Sequence, residues 1–192
     1  MKKVGLYFGS FNPIHVGHMV LANYMLEFTG LNELWFVVSP QNPLKNKKGL
    51  LDVRHRIQMV ELAIGDNNRM KVSSIETKLP QPSYTVNTLA YLKEKHPNYS
   101  FFLIMGSDNL ESLHKWKNYE EILKRHKIIV YPRPGYPGGE FLSHESVIMS
   151  QAPLMEISST FIREGIRNKY NLEHFLGVKV WQYLDEMNFY RK

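Results

Sequence analysis

Short apolar runs alternate along the chain with segments whose apolar residues recur at helical spacing. Five runs have strand character: Val4–Phe8, Leu34–Val38, Met70–Ser73, Ser100–Met105 and Lys127–Tyr131. Between the first two, Val20, Leu21, Tyr24, Met25 and Phe28 mark one face of a helix. Asp52 is placed to cap a second helix, with Val53, Ile57, Val60 and Ile64 as its stripe. Thr85 is placed to cap a third, carrying Val86, Leu89 and Ala90. A last helical pattern runs through Leu172, Leu176, Val180, Tyr183 and Met187.

Strands with few interior polar residues, separated by helices, fit parallel strands covered on both faces. The predicted fold is therefore an α/β, Rossmann-like doubly wound parallel sheet flanked by helices. A small C-terminal helical part is expected at about residues 158–192. Such a sheet takes its ligands outside the carboxyl ends of the strands. The turn-rich stretch Pro132–Gly139 reads as a loop at the edge of that site, and no internal repeat or low-complexity tract interrupts the pattern.

Composition narrows the classes. A length of 192 residues favours one domain, 1–192, over two. With 43% hydrophobic and 22% charged residues, the chain is neither a disordered tail nor a coiled coil. Cysteine is absent, which removes a disulfide scaffold, a thiolate metal site and a cysteine nucleophile, and suits a reducing compartment. No run approaches the roughly 18 apolar residues of a membrane span. The N-terminus starts basic, but its apolar run breaks at Gly9 to Pro13 with no cleavage pattern, so it reads as a first strand and not as a signal peptide. The expected location is cytoplasmic, with no membrane partner. The charge of +6 favours anionic partners without choosing among nucleotide, nucleic acid and membrane surface. Lys45, Lys47 and Lys48 form the only basic cluster, which reads as a solvated loop.

The motifs sharpen that choice. No G-x-G-x-x-G follows the first strand and no P-loop sequence occurs, which argues against dinucleotide dehydrogenases and P-loop enzymes. Instead the first strand runs into Gly9-Ser10-Phe11-Asn12-Pro13-Ile14-His15-Val16-Gly17-His18. His15 and His18 stand three apart at a loop-to-helix junction, so both can face one spot above the helix N-terminus. Free amides and the helix dipole favour an anion there. A bound phosphate would raise the imidazole pKa values. Metal ligation and simple helix capping are the rival readings of the pair. Gly9 and Gly17 are expected to allow close backbone approach to a ligand. Near the C-terminus, Ile157-Ser158-Ser159-Thr160-Phe161-Ile162-Arg163 reads as a helix N-cap with Arg163 one turn beyond Thr160, a second anion cradle.

On these motifs the chain resembles the nucleotidyltransferases that carry H-x-G-H and I-S-S-T-x-x-R, and within them the bacterial nicotinate mononucleotide adenylyltransferases. The resemblance extends through Asn42-Pro43-Leu44-Lys45, residues 54–64, Ser83-Tyr84-Thr85, Gly106-Ser107-Asp108-Asn109, Trp116 and Arg133-Pro134-Gly135-Tyr136. Two positions depart from the family pattern. Phe8 replaces the first of two glycines, and Leu44 stands where many members have histidine.

The resemblance implies that ATP and nicotinate mononucleotide give nicotinate adenine dinucleotide and pyrophosphate. The mononucleotide's own phosphate would attack the α-phosphorus, so no side-chain nucleophile or general base is required. It implies His15, His18 and Arg163 as catalytic, with Gly9, Ser10, Phe11, Gly106, Asp108, Ser158 and Ser159 joining them around ATP. Magnesium would bridge phosphate oxygens with no protein metal site. Lys45, Thr85, Asp108, Trp116 and Arg133 would hold the mononucleotide, Trp116 by stacking on the pyridine ring and Arg133 at its phosphate. The alternatives are a nicotinamide mononucleotide or phosphopantetheine adenylyltransferase. From another class, a non-catalytic basic nucleic-acid-binding module is the competing reading. It is disfavoured because the basic residues are spread along the chain. The partners expected are small polyphosphate-bearing molecules and not a nucleic acid, and a homo-oligomer stays open.

Overall fold

The computed structural model describes residues 1–40 and 49–191. Its centre is a six-stranded, wholly parallel sheet in the order β3-β2-β1-β4-β5-β6. The strands are β1 (Lys2–Gly9), β2 (Glu33–Val38), β3 (Met70–Ser73), β4 (Tyr99–Gly106), β5 (Lys127–Tyr131) and β6 (Val147–Met149). The helices are α1 (Val16–Phe28), α2 (Val53–Ile64), α3 (Thr85–Lys95), α4 (Ser107–Glu111), α5 (Tyr119–Arg125), α6 (Ser159–Arg167), α7 (Glu173–Leu176) and α8 (Val178–Glu186).

Alternation along β1 divides the core. Val4 and Leu6 pack with Leu89 and Leu92 of α3 and Ile122 and Leu123 of α5, and Phe8 lies against that cluster. Tyr7 faces the other layer, with Leu21 and Met25 of α1, Met59 and Val60 of α2, and Ile162, Leu176 and Leu184 of the C-terminal helices. The sheet is thus covered on both faces, as its unbroken apolar strands require. Successive strands step outward from β1 through β2 to β3, and the chain then crosses to β4 on the other side of β1. The strand order reverses between β1 and β4, and the crevice at that reversal is where such sheets bind ligands.

Asp52 caps α2 as its sequence position predicts, accepting the Arg54 amide at 2.8 Å. Three local expectations are corrected. Thr85 is the first helical residue of α3, and Tyr84 takes the cap position without a side-chain cap bond. The last helical pattern is two helices, because Gly177 turns the chain at φ 82° between α7 and α8. A sixth strand, β6, was not foreseen. It is three residues long, with Ile148 and Met149 exposed, so neither alternation nor a buried run announces it.

Candidate active site

Two adjoining cavities open over the carboxyl ends of β1 and β4. They share one wall, made by Tyr7, Phe8, Gly9, Ser10, Asn109 and Tyr131. The cavity that holds the histidines and Arg163 has about 390 Å³ of space, against about 190 Å³ for the one beside Trp116.

The larger cavity is lined by both motifs. His15 is the cap residue of α1, and His18 sits one turn inside it. Their rings lie 3.7 Å apart at an interplanar angle of 32°. The His15 amide donates to His18 Nδ1 at 3.2 Å. With Nδ1 accepting, the neutral His18 ring carries its hydrogen on Nε2, where it is a donor for a ligand oxygen. His15 is 4% exposed, and its Nδ1 is buried with no hydrogen-bond partner among the described residues. A buried orphan of this kind calls for an explanation, and a ligand that completes it is one.

Burial and then the nearby Arg133 guanidinium lower the His15 pKa to about 4. Burial, His15 and Arg133 together hold His18 well below its ordinary value. Both rings are therefore neutral at pH 7 before an anion arrives. The shift has a consequence for stability. Between the unfolded histidine value near 6.5 and the native value of about 4, the unfolded chain binds more protons. Stability from His15 is complete above pH 6.5 and is lost as pH falls toward 4, by on the order of 3 kcal/mol. Urea unfolding of the ligand-free protein at pH 7 and pH 4.5 measures the loss; His15→Gln is expected to remove part of the difference and leave the share of His18, which is shifted in the same direction.

The C-terminal motif reaches the same cleft. Ser158 caps α6 by accepting the Phe161 amide at 3.2 Å, and Ser159 Oγ donates to the Pro13 carbonyl at 2.9 Å. The Ser158 hydroxyl thus closes the start of α6, and that of Ser159 holds α6 against the 9–18 segment. Arg163 donates to the Asn12 carbonyl at 2.8 Å and to Thr160 Oγ1 at 3.1 Å. Asn12 is a hub: its side-chain oxygen accepts from the Tyr190 hydroxyl at 2.6 Å and the Leu51 amide at 3.2 Å, and its side-chain nitrogen donates to the Gly49 carbonyl. Neither Asn12 nor Tyr190 carried a sequence signal for this role, because the partners are separated by up to 178 residues.

Gly9 and Gly17 also stand against the protein's own aromatic rings. A Cβ on Gly9 would meet the Phe11 ring at 2.7 Å, and one on Gly17 would come within 3.1 Å of His15 Nδ1. The protein's own rings thus leave little room for a side chain at either position, and both glycines line the larger cavity. Phe11 itself holds φ at 45°, a left-handed conformation that is uncommon for a bulky residue. At Gly106, where β4 ends, a Cβ would lie 2.3 Å from Asp108 Oδ1, so this glycine makes room for the aspartate.

Asp108 and Arg133 line the larger cavity, with Arg133 Nε 3.8 Å from Asp108 Oδ1. The Arg133 amide donates to Ser107 Oγ at 2.9 Å, which fixes the start of the 133–136 turn. Thr85 and Trp116 line the smaller, ring-sized pocket together with Ser83, Tyr84 and Lys117. Phe8, the departure from the family's glycine, borders both cavities. Lys45 and Leu44 lie outside the described residues.

One residue that sequence reasoning passed over underlies the whole arrangement. Arg56 is 1% exposed. Its guanidinium donates to the carbonyls of Ser10 and Ser39 at 2.7 Å, and of Leu51 and Pro40 at 2.9 Å. It thereby ties the ends of β1 and β2 to the segment that enters α2.

The sequence matches the cytidylyltransferase-like family model over residues 6–165. A Flavobacterium psychrophilum protein named "Probable nicotinate-nucleotide adenylyltransferase" is 56% identical over 192 residues, covering 99% of this chain and all of that one. A Bacteroides thetaiotaomicron protein of the same name is 46% identical, covering 96% of this chain and 91% of that one. In fold, the chain is similar to the Plasmodium falciparum nicotinic acid mononucleotide adenylyltransferase complexed with NaAD. The TM-score is 0.81 at 19% identity, covering 100% of this chain and 98% of that one. No helix among the described residues is long and apolar enough to cross a membrane. With a polyphosphate-sized cleft beside an aromatic pocket at the sheet's reversal point, and relatives that match end to end, the chain belongs to the cytidylyltransferase-like family, among its nicotinate-nucleotide adenylyltransferases.

Proposed function

We propose that the protein joins ATP to nicotinate mononucleotide, giving nicotinate adenine dinucleotide and pyrophosphate, a step of NAD biosynthesis. The observation that carries this reading is the shared wall: two cavities of different character meet along Tyr7 to Ser10, Asn109 and Tyr131. A triphosphate in one and a pyridine mononucleotide in the other would bring their phosphates together there.

The chemistry needs few protein groups. A phosphate oxygen of the mononucleotide bonds to the α-phosphorus while the bond to the bridging oxygen of the departing pyrophosphate breaks. The nucleophile is anionic near neutral pH, so no base must take a proton. Catalysis then rests on alignment and on donors aimed at the charge that shifts across the oxygens. His18 Nε2–H serves the α-phosphate, and His15 the phosphates beside it. Arg163 and the amides at the start of α6 receive the pyrophosphate. Gly9, Ser10 and Phe11 form the floor, with Asp108 toward a ribose or a metal-bound water. Arg133 serves the mononucleotide phosphate from the cleft side, while Thr85 and Trp116 hold the ring.

Magnesium enters with ATP. Among the described residues no three His, Asp or Glu side chains converge as a metal cage. Among the described residues Asp108 is the one carboxylate lining the cleft, and its buried Oδ1, 3.8 Å from Arg133 Nε, has no hydrogen-bond partner there. That donor set fits an ion held chiefly by phosphate oxygens, where it would supply charge neutralisation. A cytoplasmic setting, where MgATP is at hand, accords with this reading.

Purified protein incubated with ATP, magnesium and nicotinate mononucleotide is expected to release one pyrophosphate per dinucleotide formed, followed by chromatography. Absence of the dinucleotide overturns the proposal.

A further inference from the structure

Resting on the function just proposed, the question left by the ring pocket is what separates a pyridine carboxylate from the corresponding amide. The two rings have the same shape, so shape alone discriminates little. They differ by one negative charge.

The pocket offers three features that respond to such a charge. The first is the start of α3. Its ladder begins with the Asn87 and Thr88 amides donating to the Tyr84 carbonyl, so the Thr85 and Val86 amides stand ahead of it. Free amides at a helix start favour an anion. The second is Ser83, which lines the pocket, is 6% exposed, and has a buried Oγ with no partner among the described residues. The third is Lys117, whose Nζ sits 4.5 Å from the centroid of the Tyr84 ring. That cation–π contact restrains an otherwise mobile side chain at the pocket wall. Tyr84 in turn is the cap residue of α3 and directly precedes Thr85. The helix start, the cation and the proposed stacking face of Trp116 therefore belong to one pocket.

We propose that Lys117 sets the preference of this pocket for a pyridine ring that bears a carboxylate over the same ring bearing an amide. The helix amides and Ser83 can hydrogen-bond either substituent, because an amide also presents a carbonyl oxygen. A full positive charge adds to them an attraction that the carboxylate feels and the neutral amide does not. An opposing charge is present as well: Glu76 lines the same pocket, buried, and accepts the Thr88 hydroxyl at 2.9 Å. Lys117 offsets its repulsion of an anionic ring. Lys115 also lines the pocket, but no aromatic contact of its own holds it there among the described residues.

The test is the ratio of kcat/KM for nicotinate mononucleotide to that for nicotinamide mononucleotide, at saturating MgATP. It is measured for the wild type, Lys117→Met and Lys117→Arg. Lys117→Met keeps the length of the side chain and removes the charge, and its fold is verified by melting temperature. Loss of one charge-assisted contact is worth about tenfold or more, so the ratio is expected to fall at least tenfold in Lys117→Met. The fall should appear in KM for the nicotinate substrate and not in kcat, and Lys117→Arg should recover most of it. A ratio unchanged by Lys117→Met, or a wild-type ratio near one, overturns the proposal. So does an equal loss with both mononucleotides. Wild-type protein that releases pyrophosphate with neither mononucleotide overturns the underlying function, and that result is read without any variant.

Discussion

His18→Ala protein is expected to fold as the wild type does and to turn over about 10²–10³-fold more slowly. The structural cost is small. Alanine removes the acceptor of one hydrogen bond, from the His15 amide at 3.2 Å, and leaves a space in a cleft that already communicates with solvent. Such a change is worth about 1 kcal/mol of stability. The catalytic cost is larger, because the lost Nε2–H is a donor fixed in advance by the bond at Nδ1. A donor held by its neighbours needs no reorganisation as charge moves onto the α-phosphate oxygens. Single-turnover rates with MgATP and nicotinate mononucleotide, beside urea unfolding of the same protein, separate the two effects. Turnover near that of the wild type by a folded His18→Ala protein would remove His18 from the reaction.

The second large effect is expected away from the substrates. Arg56→Leu should lower stability by on the order of 4 kcal/mol, measured by urea unfolding. The guanidinium is held by four carbonyls, those of Ser10, Ser39, Pro40 and Leu51. Leucine has no donor for any of them, and each buried oxygen left without a partner costs about 1–3 kcal/mol. Relief from burying the charge offsets part of that sum. Burial already lowers the Arg56 pKa from its ordinary value, which shows that the charge is held at a cost. Arg56→Lys is expected to fall between. An ammonium has three donors and no planar fork, so it cannot serve four carbonyls in these positions. What remains folded in either variant should also bind ATP less tightly, since Ser10 is part of the floor shared by both cavities.

The contrast between these residues shows how far the chain can be read without its structure. His18 announces itself through His15 and Gly17, three positions within one turn of helix. Arg56 sits among Arg54, His55 and Gln58 on a helix whose visible pattern is apolar. Nothing local marks it as buried, because its partners are backbone atoms from three other segments. The same holds for Tyr190, whose hydroxyl reaches Asn12 across the molecule. Gly9 and Gly17 lie between these cases. Their smallness was legible, but what fills the space beside them is the ring of Phe11 or His15, which only packing reveals.

Sequence alone was sufficient wherever the cause lies within a few residues. Apolar runs select strands, helical spacing and Asp52 select α2, and the two motifs select residues that line one cavity. Parallel strands separated by helices also imply the doubly wound sheet and the end of it that binds. The folded chain decided everything that depends on contacts between distant segments. It brought Arg163 within 2.8 Å of the Asn12 carbonyl, 151 residues away, and Ser159 to Pro13. It buried the histidine pair until both rings were neutral, and it put Asp108 and Arg133 in the larger cavity while Thr85 and Trp116 line the smaller. Hydrogen bonds and desolvation act over a few ångströms. Residues separated by a hundred positions acquire such neighbours only when the sheet and its two helical layers close around them.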